Sequence, residues 1–227
     1  MNKRKLILDI LKPFFIGKGF ELNSIENISD SFVRKTDFGL ISLNIQFKTQ
    51  SGYHTFSKVS LSHFEIEKII IQSGLPNYDF TERLLNSDYS LTTVFDSTTK
   101  TSYEIEVTKN SLSVDSNKDA ISFAEAVIQY MNTIGYTFSE TYSCVQNILA
   151  EMDRLEKEDD LWNKILSGGP DYFFRGLIIS KLCNDINFNK KIQLVDSIFY
   201  DINNGLQNWL PYYEKLKSNI MHYPQIK

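Results

Sequence analysis

Hydrophobic and polar positions change rhythm along this chain. Between Leu40 and Lys48 the apolar residues Ile41, Leu43, Ile45 and Phe47 alternate with Ser42, Asn44, Gln46 and Lys48, the pattern of a half-buried strand. From Tyr142 the apolar positions Val145, Ile148, Leu149, Met152 and Leu155 recur every three or four residues, which lines one stripe of a helix. The change of period predicts an α+β fold: a mainly antiparallel sheet in the N-terminal half, with a helical C-terminal half packed on it as a bundle or cap. It also draws a boundary near Ser116, dividing residues 1–116 from residues 117–227, although the two regions are compatible with one continuous domain.

Within the first region an opening helix turns Leu6, Ile7, Ile10, Leu11 and Phe14 inward, and Pro13, Gly17 and Gly19 end or kink it. A strand over Ser31 to Lys35 turns through Asp37-Phe38-Gly39 into the alternating strand, forming a hairpin. Residues Tyr53 to Leu61 predict a third strand whose imperfect alternation at Phe56 and Val59 calls for a bulge or a sheet edge. Ser62-His63-Phe64-Glu65 has capping-box spacing and predicts the start of a helix carrying Ile66, Ile69 and Ile70, stopped by Gly74 and Pro76. Asn77 to Ser90 predicts a loop with a short helical turn, and Leu91 to Phe95 and Tyr103 to Lys109 two further strands.

The second region reads as helices only. The first carries Ile121, Ala124, Ile128 and Met131 and is interrupted near Gly135. A long second helix runs from Tyr142 to Leu166 and stops at Gly168-Gly169-Pro170, and further helices cover Tyr172 to Cys183, Lys190 to Asn203 and Leu206 to Ile220. No fixed repeat period favours a solenoid.

Composition narrows the function classes. A formal charge of −4 argues against a broadly basic phosphate-binding surface, so nucleic acid is not an expected partner. Two cysteines, Cys144 and Cys183, are too few and too far apart for a disulfide framework, which fits a reducing cytoplasm. The basic head Lys3-Arg4-Lys5 and the apolar run after it resemble a signal peptide, but Asp9, Lys12 and Pro13 interrupt that run, so an amphipathic helix is expected instead. No uncharged stretch approaches the roughly 20 residues that cross a bilayer, and no membrane association is expected.

The words Leu11-Lys12-Pro13, Gly19-Phe20, Phe32-Val33-Arg34 and Gly39, followed by an apolar strand containing Gln46, resemble the opening of certain uncharacterised bacterial α+β domains, some of them similar to families associated with toxin–immunity loci. The resemblance covers roughly the first third of the chain, with Glu21 to Asp30 standing as an insertion. It implies a non-enzymatic accessory or protective protein and carries over no functional residue.

Candidate chemistry is sparse. His54, His63 and His222 have no ligand spacing, and neither a phosphate-cradling glycine loop nor a nucleophile elbow is present. No metal and no cofactor is therefore expected. Asp96, Glu104, Glu106 and Lys109 resemble the carboxylates and lysine of a metal-dependent nuclease, and the alternative reading is such a nuclease or another hydrolase with a dispersed site, but Glu106 and Lys109 are three apart and diverge on a regular strand. A solvated face opposite Tyr103, Ile105 and Val107 is the simpler account. Cys144 lacks a sequence-adjacent base and reads as a small hydrophobe. Trp162, Trp209, Tyr212 and Tyr213 read as packing rather than as a binding platform.

The remaining feature is Glu151 to Asp160, where six carboxylates face two bases, a local balance of −4. Glu151 with Arg154 and Asp153 with Lys157 have helical pair spacing. Glu156, Glu158, Asp159 and Asp160 have no such neighbour and are the candidate partner-binding residues. Their charge would steer a basic protein partner, as an immunity protein for a nucleic-acid-degrading toxin requires. The expected function is thus a protein-binding or accessory module with no catalytic residue of its own.

Overall fold

The computed structural model describes residues 3–25, 29–48, 53–56, 58–97 and 111–222. Its elements are α1 (Lys3–Ile16), β1 (Glu21–Ile25), β2 (Ser29–Thr36), β3 (Gly39–Lys48), β4 (Tyr53–Phe56), β5 (Ser60–His63), α2 (Phe64–Ser73), α3 (Thr81–Leu85), β6 (Val94–Phe95), β7 (Ser111–Ser113), α4 (Asn117–Tyr130), α5 (Tyr136–Tyr142), α6 (Val145–Lys157), α7 (Tyr172–Leu182), α8 (Phe188–Phe199) and α9 (Leu210–Ile220). This is an α+β arrangement with its antiparallel sheet in the N-terminal half. The chain divides into two compact units, residues 1–61 with 96–141 and residues 62–95 with 142–227. The units cut across the change of period at Ser116, because periodicity reports how a segment is wound and not which segments bury each other's faces.

The first unit holds the sheet, in the order β1-β2-β3-β4-β7 with all four pairings antiparallel. The β2–β3 hairpin turns on Asp37 and Phe38, with Thr36 opposite Gly39, and Ile41, Leu43 and Ile45 are buried as their alternation requires. The expected third strand is two. In β4, Phe56 stands opposite Ile45, a register that would set Ser60 against Ile41, yet Ser60 meets Ser42 with hydroxyls 2.9 Å apart. The register slips by one residue between β4 and β5, the irregularity that Phe56 and Val59 foretold. Glu21 to Asp30, read as an insertion, contains β1. Its weak alternation concealed an edge strand.

Helix α1 packs beside α4 and stacks Phe15 on Phe32 of β2 at 4.1 Å. Its buried residues are Ile7, Leu8, Leu11 and Phe15, a face rotated from the one expected; apolar residues occupy neighbouring positions on each turn, and the fit of Phe15 against Phe32 selects between them. Pro13 lies inside the helix. In α4 the buried stripe is Ala120, Phe123, Ala124, Val127 and Tyr130, again rotated, so Ile121 is 40% exposed.

The Ser62 capping box does not form. Ser62 and His63 belong to β5, the helix begins at Phe64, and its cap residue His63 makes no side-chain cap hydrogen bond. Incorporation into strand β5 outcompetes the local motif. The box that does form starts α4: Asp119 N donates to Ser116 Oγ at 3.1 Å, and Ser116 N to Asp119 Oδ2 at 2.7 Å. Ser116→Ala should therefore cost about 0.5–2 kcal/mol, read as a lower urea midpoint at unchanged slope, whereas Ser62→Ala should leave the start of α2 in place. An unchanged midpoint for Ser116→Ala would show that the box contributes nothing.

The second unit is built around α7, in which Tyr172 to Ser180 are all buried. Helices α2, α6, α8 and α9 each pack against it, and a helix surrounded in this way is apolar all round. Two expectations change here. The long helix from Tyr142 to Leu166 is broken at Ser143–Cys144 and again after Lys157. The second break is a Schellman stop, with Asp160 N donating to Leu155 O at 2.9 Å, Asp159 N to Glu156 O at 3.3 Å, and Asp159 left-handed at φ 56°. Carboxylates at Glu158, Asp159 and Asp160 oppose extension, because the carbonyl end of a helix carries negative partial charge. Beyond the stop, Val94 bridges antiparallel to Leu166, flanked by Phe95 N to Ile165 O at 3.2 Å and Ser167 N to Thr93 O at 2.9 Å. The region after Ser116 is thus not wholly helical.

Candidate functional site

A central helix with no solvent face must satisfy any charge it carries from its neighbours. Arg175 lies on α7 and is 3% exposed. Its Nε donates to Glu67 Oε1 at 2.9 Å and its Nη2 to Glu67 Oε2 at 2.8 Å, the two-pronged geometry in which guanidinium and carboxylate fit best. Its Nη1 donates to Asp171 Oδ2 and, at 3.1 Å, to Ser167 O. Thr93 completes the set by donating its hydroxyl to Glu67 Oε1 at 2.7 Å while accepting from His63 N at 2.8 Å. Burial pushes the Glu67 carboxyl up, against the pull of Arg175, and the two carboxylates push the Arg175 guanidinium up against its own burial. The network is closed on itself.

Two glycines make room for close packing around it. A Cβ on Gly168, which has φ +108°, would run into the Asp171 carboxylate. One on Gly176 would collide with the indole of Trp162, and Met152 Cε would lie 3.1 Å away. His63, beside this network, is 2% exposed and holds Tyr142 O at 2.8 Å through Nε2. Burial drives its pKa down to about 4, so the ring is neutral at physiological pH and Nε2 carries its proton.

A second closed network surrounds Lys191 of α8, which is 1% exposed. Its Nζ donates to Asp153 Oδ1 at 2.5 Å and to Asp185 Oδ2 at 2.9 Å, with Glu156 Oε1 3.6 Å away. Glu156 also accepts from Trp162 Nε1 at 2.9 Å.

The acidic segment is therefore not uniform. Glu156, expected to be free, is held by Trp162 and Lys191. Glu158, also expected to be free, pairs with Arg154 at 2.5 Å, and Arg154 bridges to Glu151 at 2.7 Å as the spacing indicated. Asp153 pairs with Lys191 rather than meeting the expectation of Lys157. Asp159 and Asp160 are exposed on the Schellman turn, next to Leu161 at 47% exposure. The tertiary partners were invisible in the sequence because Lys191 and Trp162 reach the segment from outside any helical repeat.

Of the nuclease-like set, only Asp96 falls among the described residues. Asp96 is buried in the first unit, where Tyr130 Oη donates to its Oδ2 at 2.8 Å and accepts from Val59 N at 2.9 Å. Glu104, Glu106 and Lys109, with the strand proposed for Tyr103 to Lys109, lie outside the described residues. No group of three or more His, Cys, Asp or Glu side chains that could hold a metal occurs among the described residues. Cys144 is exposed at the N-cap of α6 and donates to Gln146 Oε1 at 3.1 Å, so it is not the buried hydrophobe expected. The aromatic residues do pack: Tyr213 stacks on Phe199 at 4.7 Å and Trp209 meets Phe174 edge-on at 6.1 Å. No described helix is long and apolar enough to cross a membrane.

The class these features define is an α+β protein with internally saturated ion networks and an acidic turn. Comparison with protein-family models, curated proteins and solved structures finds no match.

Proposed function

We propose that this chain is a non-enzymatic protein-binding or accessory module of the immunity-like kind, acting in the bacterial cytoplasm on a basic protein partner. The observation that carries the reading is a segregation of charge. Each buried carboxylate among the described residues, Asp30, Glu67, Asp96 and Asp171, is engaged by Arg4, Arg175 or Tyr130, and groups so engaged are poorly placed to take part in acid–base or metal chemistry. Asp159 and Asp160 instead stand exposed beside Leu161, and Glu158, though paired with Arg154, is exposed next to them. An exposed acidic rim acts mainly on the rate of encounter with a basic surface. The resemblance of the first third of the chain to domains near toxin–immunity loci points the same way.

Glu158→Lys, Asp159→Lys and Asp160→Lys combined test it, with Glu156 left intact because it anchors Trp162. A partner captured from the native host should associate with the triple variant at least about tenfold more slowly at low salt, and with a flattened salt dependence. Association at the wild-type rate by stopped flow would remove the acidic turn from the interface.

A further inference from the structure

One polar group in the first unit is left over by the packing. Tyr136 opens α5 directly after the five-residue π-helical turn Met131–Gly135. Its ring lies 6.2 Å from that of Phe14, and the ammonium of Lys18 sits 5.5 Å above its face. The hydroxyl is shielded from solvent and has no hydrogen-bond partner among the described residues. An unpaired buried hydroxyl is costly and uncommon in folded proteins.

The charges beside it are also unspent. Arg34 of β2 lies with its guanidinium 5.2 Å from the centroid of Phe20 and donates one long hydrogen bond, Nη1 to Lys18 O at 3.4 Å. Its charge reaches Tyr136, where it opposes the upward push of burial on the phenol. Neither Arg34 nor Lys18 is ion-paired with a carboxylate among the described residues. In a chain of net charge −4, where Arg4, Arg175 and Lys191 each grip a carboxylate, half-buried Arg34 and exposed Lys18 flank a hydroxyl that has no acceptor among the described residues. The C-terminal end of α1, which Lys18 follows, favours cations nearby. That accounts for the lysine but not for the hydroxyl, which the helix end does nothing to satisfy.

We propose that Lys18, Arg34 and Tyr136 form a binding site for a small phosphate-bearing ligand. Two cations match a phosphate dianion in charge, the guanidinium fork addresses two of its oxygens, and the Tyr136 hydroxyl donates to a third. Lys18 is exposed, and its ammonium can leave the Tyr136 ring face to meet the ligand. The ligand then supplies the acceptor that the fold omits.

Titration of the full chain with inorganic phosphate and with glycerol phosphate, against chloride at matched ionic strength, tests the site by calorimetry and thermal unfolding. Saturable binding with a rise in melting temperature is expected, weakened at least tenfold by Arg34→Gln or Lys18→Gln. Tyr136→Phe gives a paired signature: the ligand-free protein should melt higher than wild type, because the unpaired hydroxyl is gone, while phosphate binding is lost. No saturable binding to wild type, or wild-type binding by Tyr136→Phe and Arg34→Gln, would overturn the proposal. So would a lower melting temperature for ligand-free Tyr136→Phe, which would mean that the hydroxyl already has a partner. Vesicles containing phosphatidic acid form a parallel arm, and binding seen only there would assign the phosphate to a lipid headgroup and overturn the small-molecule reading.

Discussion

Arg175→Met should lose about 3–5 kcal/mol of stability at neutral pH, the range for stripping one partner from a buried ion pair. The loss comes less from the broken bonds than from what remains, since Glu67, with 0% exposure, would keep only Thr93 as a donor among the described residues. The deficit should also depend on pH in a defined direction. With Arg175 gone, burial and the Asp171 charge act on Glu67 against the Thr93 hydrogen bond alone, and its folded pKa rises further above that of the unfolded chain. The folded variant then binds the extra proton, so its stability is greatest in acid and falls as pH rises through that folded pKa. Replacing both partners, Glu67→Leu with Arg175→Met, should recover most of the loss, because an apolar pair needs no compensating charge. Urea unfolding at pH 5 and pH 8 measures all three quantities. A single Arg175→Met variant within about 1 kcal/mol of wild type at pH 8 would show that the network contributes little.

The difference between Arg175 and the acidic segment explains what could be read from the sequence. Elements whose pattern is set by one chain segment were legible: Ile41, Leu43 and Ile45 alternate because one face of β3 is buried, and the slip near Val59 showed as a fault in that alternation. Features decided by competition between distant segments were not. Ser62 had a local motif for starting a helix, and strand β5 took it instead. Ile121 fitted a helical stripe as well as Phe123 did, and packing against α1 chose the latter. The central network was missed altogether, because Glu67, Thr93, Asp171 and Arg175 come from three separate stretches of chain. A weak signal existed nonetheless. Asp171 and Arg175 have i,i+4 spacing within the most apolar segment of the C-terminal half, and charges placed there require buried partners. Glu156 shows the converse error. Sequence neighbours gave it no cation, yet Lys191 and Trp162 hold it from thirty-five and six residues away.

His63 should make the protein acid-sensitive between about pH 6.5 and about pH 4. The sign follows from burial: the folded pKa of about 4 lies below the ordinary 6.5, so between those values the unfolded chain takes up a proton that the folded chain refuses. Stability contributed by the neutral ring is fully present above pH 6.5, falls as pH drops through the window and is lost below about 4. The shift corresponds to roughly 3 kcal/mol, at about 1.4 kcal/mol for each pH unit. Glu67, whose pKa burial raises, pulls the other way, so the test is a difference between proteins rather than a single curve. His63→Gln keeps a side-chain donor for Tyr142 O but cannot titrate. Its unfolding free energy measured from pH 7.5 to pH 4 should decline less than that of wild type, by an amount that grows from near zero at pH 7 to about 2–3 kcal/mol at pH 4.5. Parallel curves for the two proteins across that range would mean that His63 accepts its proton in the folded state, and the buried neutral ring would then have to be abandoned.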